Sequence, residues 1–315
     1  MSGNVAPDTA ALFAIAFEWG LYGLSIWMFI GTMKELLTGI SRNWKMAFVA
    51  LLFFAFSTAH AITDLIRMKI GFIDKRENPG PVLYFSDATD VLFLIRSSFY
   101  LAQTLLADAV VVYRCHTVWR PISQWIVLFP LCLWTTLVAT SLGALYNLGV
   151  ASQHGGGVEI FAFAKWVNAF FALSLATNLI GTGLLAFRIW RVNQTTTEFR
   201  ETGFMIPVFR VVVDAGLLYT VTLTVTLVVF EAKSNAQTII LDILMPIISI
   251  SFYMLILRVA TLAKRGPPKS TDISLQPTTT FSSRSGNWSA QGSSRHHEED
   301  WVSVHSAQKG SSSVV

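Results

Sequence analysis

Apolar residues along this chain arrive in runs separated by short polar clusters, and the runs are as long as a bilayer's hydrocarbon layer is thick. Seven stand out: residues 11–32, 45–66, 91–113, 124–146, 164–190, 207–230 and 237–259. At about 1.5 Å per residue each makes a helix able to cross roughly 30 Å. The sixth run contains "TVTLTVT", whose alternation and β-branching would suggest a strand in a soluble chain. A lone strand cannot satisfy its backbone in lipid, so a helix is expected there too.

The polar residues inside the runs recur with helical spacing. His60, Asp64 and Arg67 share one face of the second run, and Arg96, Tyr100 and Gln103 one face of the third. Similar stripes are Glu18, Tyr22 and Ser25; Asp242, Pro246, Ser249 and Tyr253; Ser174, Asn178 and Gly181; and Thr136, Thr140, Gly143 and Asn147. An ionisable side chain at the bilayer centre costs about 2.5 to 3.5 kcal/mol even on the lenient insertion scale, so such faces turn toward one another. The expectation is an all-α, seven-transmembrane helix bundle with a polar interior and receptor-like topology. Pro130 and Pro246 are expected to kink their helices.

The candidate polar cluster, functional or structural, comprises Glu18, His60, Asp64, Arg96, Gln103, Asp108, Asn178, Arg210, Asp214 and Asp242. Arg210 and Asp214, one turn apart, are close enough to bond each other. Arg210 can reach the headgroups, whereas Asp214 lies too deep, so either Arg210 neutralises it or Asp214 carries a proton. Asp108 and Arg114, six residues apart, lie on different faces and cannot pair. Arg114 is expected to anchor in the headgroups, and Asp64 to hold the His60 ring.

Composition agrees with the pattern: 53% of residues are hydrophobic, 13% are charged, and the mean hydropathy is +0.53. Lys and Arg near the span ends number twelve on the side of loops one, three and five and the C-terminal tail, against six on the other. By the positive-inside rule residues 1–10 are extracellular and the C terminus is cytosolic, with the plasma membrane as the expected location. Loop two, "RMKIGFIDKRENPGPVLYFSD", is the dissenting segment. Trp44, Trp119, Trp125, Trp166 and Trp190 fall near span ends, where an amphipathic ring prefers to lie. The first run is too long for a cleaved signal peptide and reads as a signal anchor. Cys115 and Cys132 lie in no outer loop, so no structural disulfide is expected. The sequons at Asn193 and Asn287 fall on the expected cytosolic side. Residues 260–315, rich in Ser and Thr and poor in apolar side chains, are expected to be a disordered cytosolic tail, either phosphorylated or simply solvated.

Several functions with seven helices fail on their own requirements. An opsin needs a lysine in the last span, and residues 238–257 hold none. Intramembrane zinc hydrolysis and haem binding need several histidines, and only His60 is plainly intramembrane. Sugar carriers built as parallel repeats need a similarity between the two halves that is missing here. G-protein-coupled receptors match in count and orientation. However, "DAVVVYRCHTVW" lacks an acid directly before its arginine, Pro246 and Tyr253 stand seven apart, and the outer cysteine pair is missing.

The stretches "DAVVVYRCHTVW" (108–119), "TNLIGTGLLAFRIWR" (177–191), "PVFRVVVDAGLLYTVTL" (207–223) and "SNAQTIILDILMPIISISFYMLILRV" (234–259) resemble the seven-span integral membrane proteins encoded in many copies by mushroom-forming fungi. The likeness covers spans three to seven well and spans one and two loosely. It implies an uncharacterised multi-pass membrane protein and assigns no catalytic or ligand residue. The expected function is a receptor-like sensor of a small ligand, not an enzyme and without a cofactor, in which span six shifts against spans three and five as Arg210 and Asp214 exchange partners. An ion-coupled transporter using the same polar interior and a non-signalling structural membrane protein stay open. The expected partners are the lipid bilayer, a small molecule and a cytosolic protein meeting loops three and five and the tail, with no nucleic acid.

Overall fold

A computed structural model describes residues 6–38, 43–120, 122, 125–154, 158–195, 205–232 and 236–265. All seven apolar runs are helices: α1 (Pro7–Thr38), α2 (Trp44–Lys69, prolonged by a wider π turn over Ile70–Asp74), α4 (Val91–Trp119), α5 (Trp125–His154), α6 (Val158–Thr195), α7 (Met205–Glu231) and α8 (Ala236–Arg265). Each is long and apolar enough to cross a membrane. The short helix α3 (Pro81–Ser86), which the apolar pattern does not announce, interrupts loop two.

The helices exceed the expected spans at most ends. Polar residues beyond the apolar run still satisfy their backbones best by continuing the helical ladder. α8 therefore runs on through 260–265, which the sequence pattern assigns to the tail; residues 266–315 and Asn287 lie outside the described residues. The "TVTLTVT" segment is helical, and its threonines fit by bonding backward: Thr222, Thr224 and Thr226 each donate their hydroxyl to the carbonyl four residues earlier, at 2.8–2.9 Å. α5 and α8 continue through Pro130 and Pro246.

Packing sets α4 against α2, α5, α6 and α8, and α8 against α1, α2, α4 and α7. The most apolar stretch of α8 is 61% buried and that of α1 only 22%, so α8 is an inner helix and α1 an outer one. Phe53, Phe170, Phe171, Leu223, Leu244, Met245 and Tyr253 form the main core. Outward-facing side chains are largely apolar, among them Trp27 (77% exposed), Leu142 (62%) and Val228 (61%). Such a continuous apolar exterior fits lipid rather than water. Trp44, Trp125, Trp166 and Trp190 are exposed as an interfacial ring requires, but Trp119 is buried and donates its indole N–H to the Leu184 carbonyl. Cys115 and Cys132 are both free.

The bundle has two ends. One, the N-face, gathers the start of α1, α4, α6 and α8 with the close of α2, α5 and α7; the C-face is opposite. The polar stripes of α1, α2, α4 and α8 turn inward as expected. That of α5 does so only in part, because Thr136 is exposed and both it and Asn147 bond their own helix, at the Cys132 and Gly143 carbonyls.

Candidate functional site

Within the N-face half, four helices deliver five ionisable side chains to one place. Glu18 comes from α1, His60 and Asp64 from α2, Arg96 from α4 and Asp242 from α8, and each is at most 7% exposed. Helical spacing aligns His60 with Asp64; only packing brings the other three to them. His60 Nδ1 lies 2.8 Å from Glu18 Oε1 and 3.4 Å from Asp64 Oδ2. Arg96 Nε points at His60 Nε2 (3.4 Å) and Asp64 Oδ1 (3.2 Å), while Arg96 Nη2 donates to Asp242 Oδ1. Since an Arg N–H can only donate, Nε2 accepts and the ring proton belongs on Nδ1, shared toward the carboxylates.

Glu18, His60 and Asp64 present ligand atoms within 4.8 Å of one another, near enough to share a cation. The Arg96 guanidinium against both His60 and Asp64 would repel a divalent ion placed there. Three carboxylates face one arginine here, and Glu18 Oε2 and Asp64 Oδ2 have no hydrogen-bond partner. The cluster is therefore acid-heavy and keeps acceptors in reserve.

A cavity of about 200 Å³ adjoins it, lined by Asp64, Arg67, Arg96 and Asp242 together with Pro7, Ala11 and Ile15 of α1, Ser86 at the end of α3 and Asp87 and Ala88 beyond it. Arg67, which spacing places on the α2 stripe but which is no site candidate from sequence, is 4% exposed. Its guanidinium stands over the Phe93 and Phe85 rings (5.4 and 5.9 Å to the centroids), 4.0 Å from Asp90, and its Nε has no hydrogen-bond partner. Asp90 also accepts from the Tyr84 hydroxyl at 2.8 Å; burial, then this bond, pushes the Tyr84 phenol up to about 12. At the cavity rim the Thr89 hydroxyl and amide both donate to Asp87 Oδ1 (2.6 and 2.8 Å), and the hydroxyl bond first among them holds that carboxyl below its usual range. Nothing in the apolar periodicity marks Asp90 or Asp87, which sit in the loop outside any run.

A further, largely apolar cavity of about 130 Å³ shares Phe93, Arg96, Gln237 and Thr238 with the first and is otherwise walled mainly by aromatic and aliphatic residues, with His60 among its lining.

The remaining candidates do not join this cluster. Gln103 donates to the Met245 carbonyl (2.7 Å) and Ser249 Oγ (3.0 Å), tying α4 to α8 in mid-bundle. Asp108 is fully buried and accepts from the Ser174 hydroxyl at 2.6 Å. Asn178 Oδ1 accepts from Thr220 at 3.0 Å. The expected Arg210–Asp214 pair is not formed. Asp214 pairs with Arg258 of α8 at 3.1 Å, both about half exposed, and Arg210 points outward. Neighbours one turn apart are within reach, but α8 packs beside α7 and offers a cation without bending Arg210 back along its own helix. Asp214 thus lies at the bundle surface, contrary to the expectation that it faces the interior. Arg114, expected to anchor in the headgroups, is partly buried, and its guanidinium lies against the Phe252 ring of α8, 5.5 Å from the centroid.

Comparisons with protein-family models, curated proteins and solved structures return no match for this chain. Its class rests on its own architecture: seven long apolar helices with lipid-suited exteriors and charges sequestered within make it a multi-pass integral membrane protein.

Proposed function

We propose that the protein is a receptor-like sensor of a small polar ligand carrying both a cationic and an anionic group, bound in the N-face cavity. The observation that carries this reading is a pair of buried atoms on that cavity's wall that make no hydrogen bond, the acceptor Asp64 Oδ2, 3.4 Å from His60 Nδ1, and the donor Arg67 Nε, 4.0 Å from Asp90. Buried polar atoms are normally satisfied, and those left unsatisfied are where a ligand gains most. At about 200 Å³ the cavity suits a molecule of roughly fifteen non-hydrogen atoms at most.

A ligand anion reaching Arg67 and Arg96, with its cation beside Asp64 and Asp242, would compete with the Arg96–Asp242 pair that joins α4 to α8. Loosening that joint shifts α8, and with it the Arg258–Asp214 contact to α7 near the C-face. This reading includes an extracellular N-face, a plasma-membrane location, a cytosolic partner at the C-face, no catalytic step, and kinship with the seven-span proteins of mushroom-forming fungi.

The purified full-length protein in nanodiscs, screened by thermal shift against amino acids and related zwitterions, tests it. A binder raises the unfolding midpoint, and Arg67→Gln should weaken it at least about tenfold. The reading fails if binders act equally on Arg67→Gln or if none exists. The His60 proton held between Glu18 and Asp64 favours one alternative, an ion-coupled carrier. Uptake of the same ligand into proteoliposomes driven by a proton gradient would replace the sensor with that carrier.

A further inference from the structure

We propose that Arg114 heads an oxyanion-binding site in the C-face half of the bundle, taking a phosphate- or carboxylate-type group. Three other arginines of the bundle each face an acid: Arg96 has Asp64 and Asp242, Arg67 has Asp90, and Arg258 has Asp214. Among the described residues Arg114 has no carboxylate partner, and its Nη2, shut off from solvent, has no hydrogen-bond acceptor. An arginine held inside a membrane bundle without a counter-charge is costly, and such residues ordinarily find an anion or a carbonyl.

The surroundings are built for one. Arg114 borders a cavity of about 70 Å³ together with Asn178, Thr182, Tyr219 and Ser251, and no acidic residue lines it. Ser251 Oγ is buried and unpartnered, a second donor awaiting an acceptor. The space equals about five water-sized centres, the number of heavy atoms in a tetrahedral oxyanion. Planar guanidinium nitrogens suit phosphate and carboxylate oxygens geometrically. Two glycines keep the walls tight: a Cβ on Gly181 would fall 2.4 Å from Val111 Cγ1, and one on Gly216 would fall 2.5 Å from Thr182 Cγ2. Arg114 stands five residues before the end of α4 at Trp119, about 8 Å along the axis. That depth is within reach of a lipid phosphate as well as of a soluble anion.

The test uses full-length protein in phosphatidylcholine nanodiscs, titrated with sodium phosphate at constant ionic strength, and in parallel nanodiscs in which phosphatidic acid replaces part of the phosphatidylcholine. A rise in unfolding midpoint with phosphate alone identifies a soluble oxyanion, and a rise with phosphatidic acid alone identifies a headgroup. In either case Arg114→Gln should demand at least about tenfold more anion, Arg114→Lys should keep part of the response, and Arg258→Gln should keep all of it. If Arg114→Gln does not fold, Ser251→Ala carries the test with a several-fold weakening. No rise in the unaltered protein, or a rise undiminished by Arg114→Gln and Ser251→Ala, overturns the proposal. None of these readouts depends on a ligand at the N-face.

Discussion

Arg96 and Arg114 stand on the same helix, 18 residues and about 27 Å apart, in opposite surroundings. Arg96 sits in an excess of acid supplied by α1, α2 and α8, with its guanidinium bonded on two sides. Arg114 leans on a phenyl ring and borders a largely apolar cavity in which the Ser251 hydroxyl is left without a partner. One end of the bundle is thus neutralised largely from within and keeps spare acceptors, while the cavity beside Arg114 at the other has no acidic residue in its lining. In a medium of low dielectric such imbalances are seldom left unanswered, so each end points to the charge it would bind.

The largest effect expected is at the acidic end. Asp242→Ala removes the carboxylate that Arg96 Nη2 bonds and leaves a buried charge short of a partner, a loss of about 3–5 kcal/mol. Thermal unfolding in detergent should show it, and a double-mutant cycle with Arg96→Gln should give clear coupling between the two sites. Additive losses would mean that the pair is not the joint between α4 and α8.

At the other end Gly216→Val should cost about 1–3 kcal/mol by overpacking against Thr182. Because the added side chain fills the cavity beside Arg114, any stabilisation by phosphate or anionic lipid should vanish with it, while zwitterion binding at the N-face persists. Loss of both responses together would dissolve the distinction between the two ends.

A smaller effect concerns the rim. The folded Asp87 carboxyl is held below its usual range, so its contribution to stability is present above the unfolded value near 3.8 and is lost as pH falls through the folded one. As pH falls through that folded value the protection of the Thr89 amide, its exchange relative to an unstructured amide at the same pH, should drop, and Asp87→Asn should show the lower protection already at neutral pH. The smallest effect belongs to Asp214→Asn. Its pair with Arg258 is half exposed, and such pairs contribute about 0–1 kcal/mol. A loss as large as that of Asp242→Ala would show that the pair is shielded and that the surface placement of Asp214 is wrong.

Much of the site is legible in the amino-acid sequence, because burying a charge in hydrocarbon is costly enough to dictate which way a helical face turns. Glu18, His60, Asp64, Arg96 and Asp242 all obey that rule. Asp214 does not, because its depth along α7 says nothing about the lateral position of α8, and Arg258 is close enough to take it at the surface. Arg114 shows the same limit: closeness to the end of α4 suggests headgroups, but its packing against Phe252 depends on where α8 lies.

What the chain determined alone was the number of crossings, their helical state and the inward faces of α1, α2, α4 and α8. Those follow from local rules, since every backbone amide in lipid must be bonded within its own segment and every charge must leave the lipid face. Which helix is most buried, which acid meets which arginine, and where Arg114 is left without a carboxylate were decided only by tertiary packing. Periodicity reports the direction of a side chain around its own axis and carries no information on which neighbour lies there.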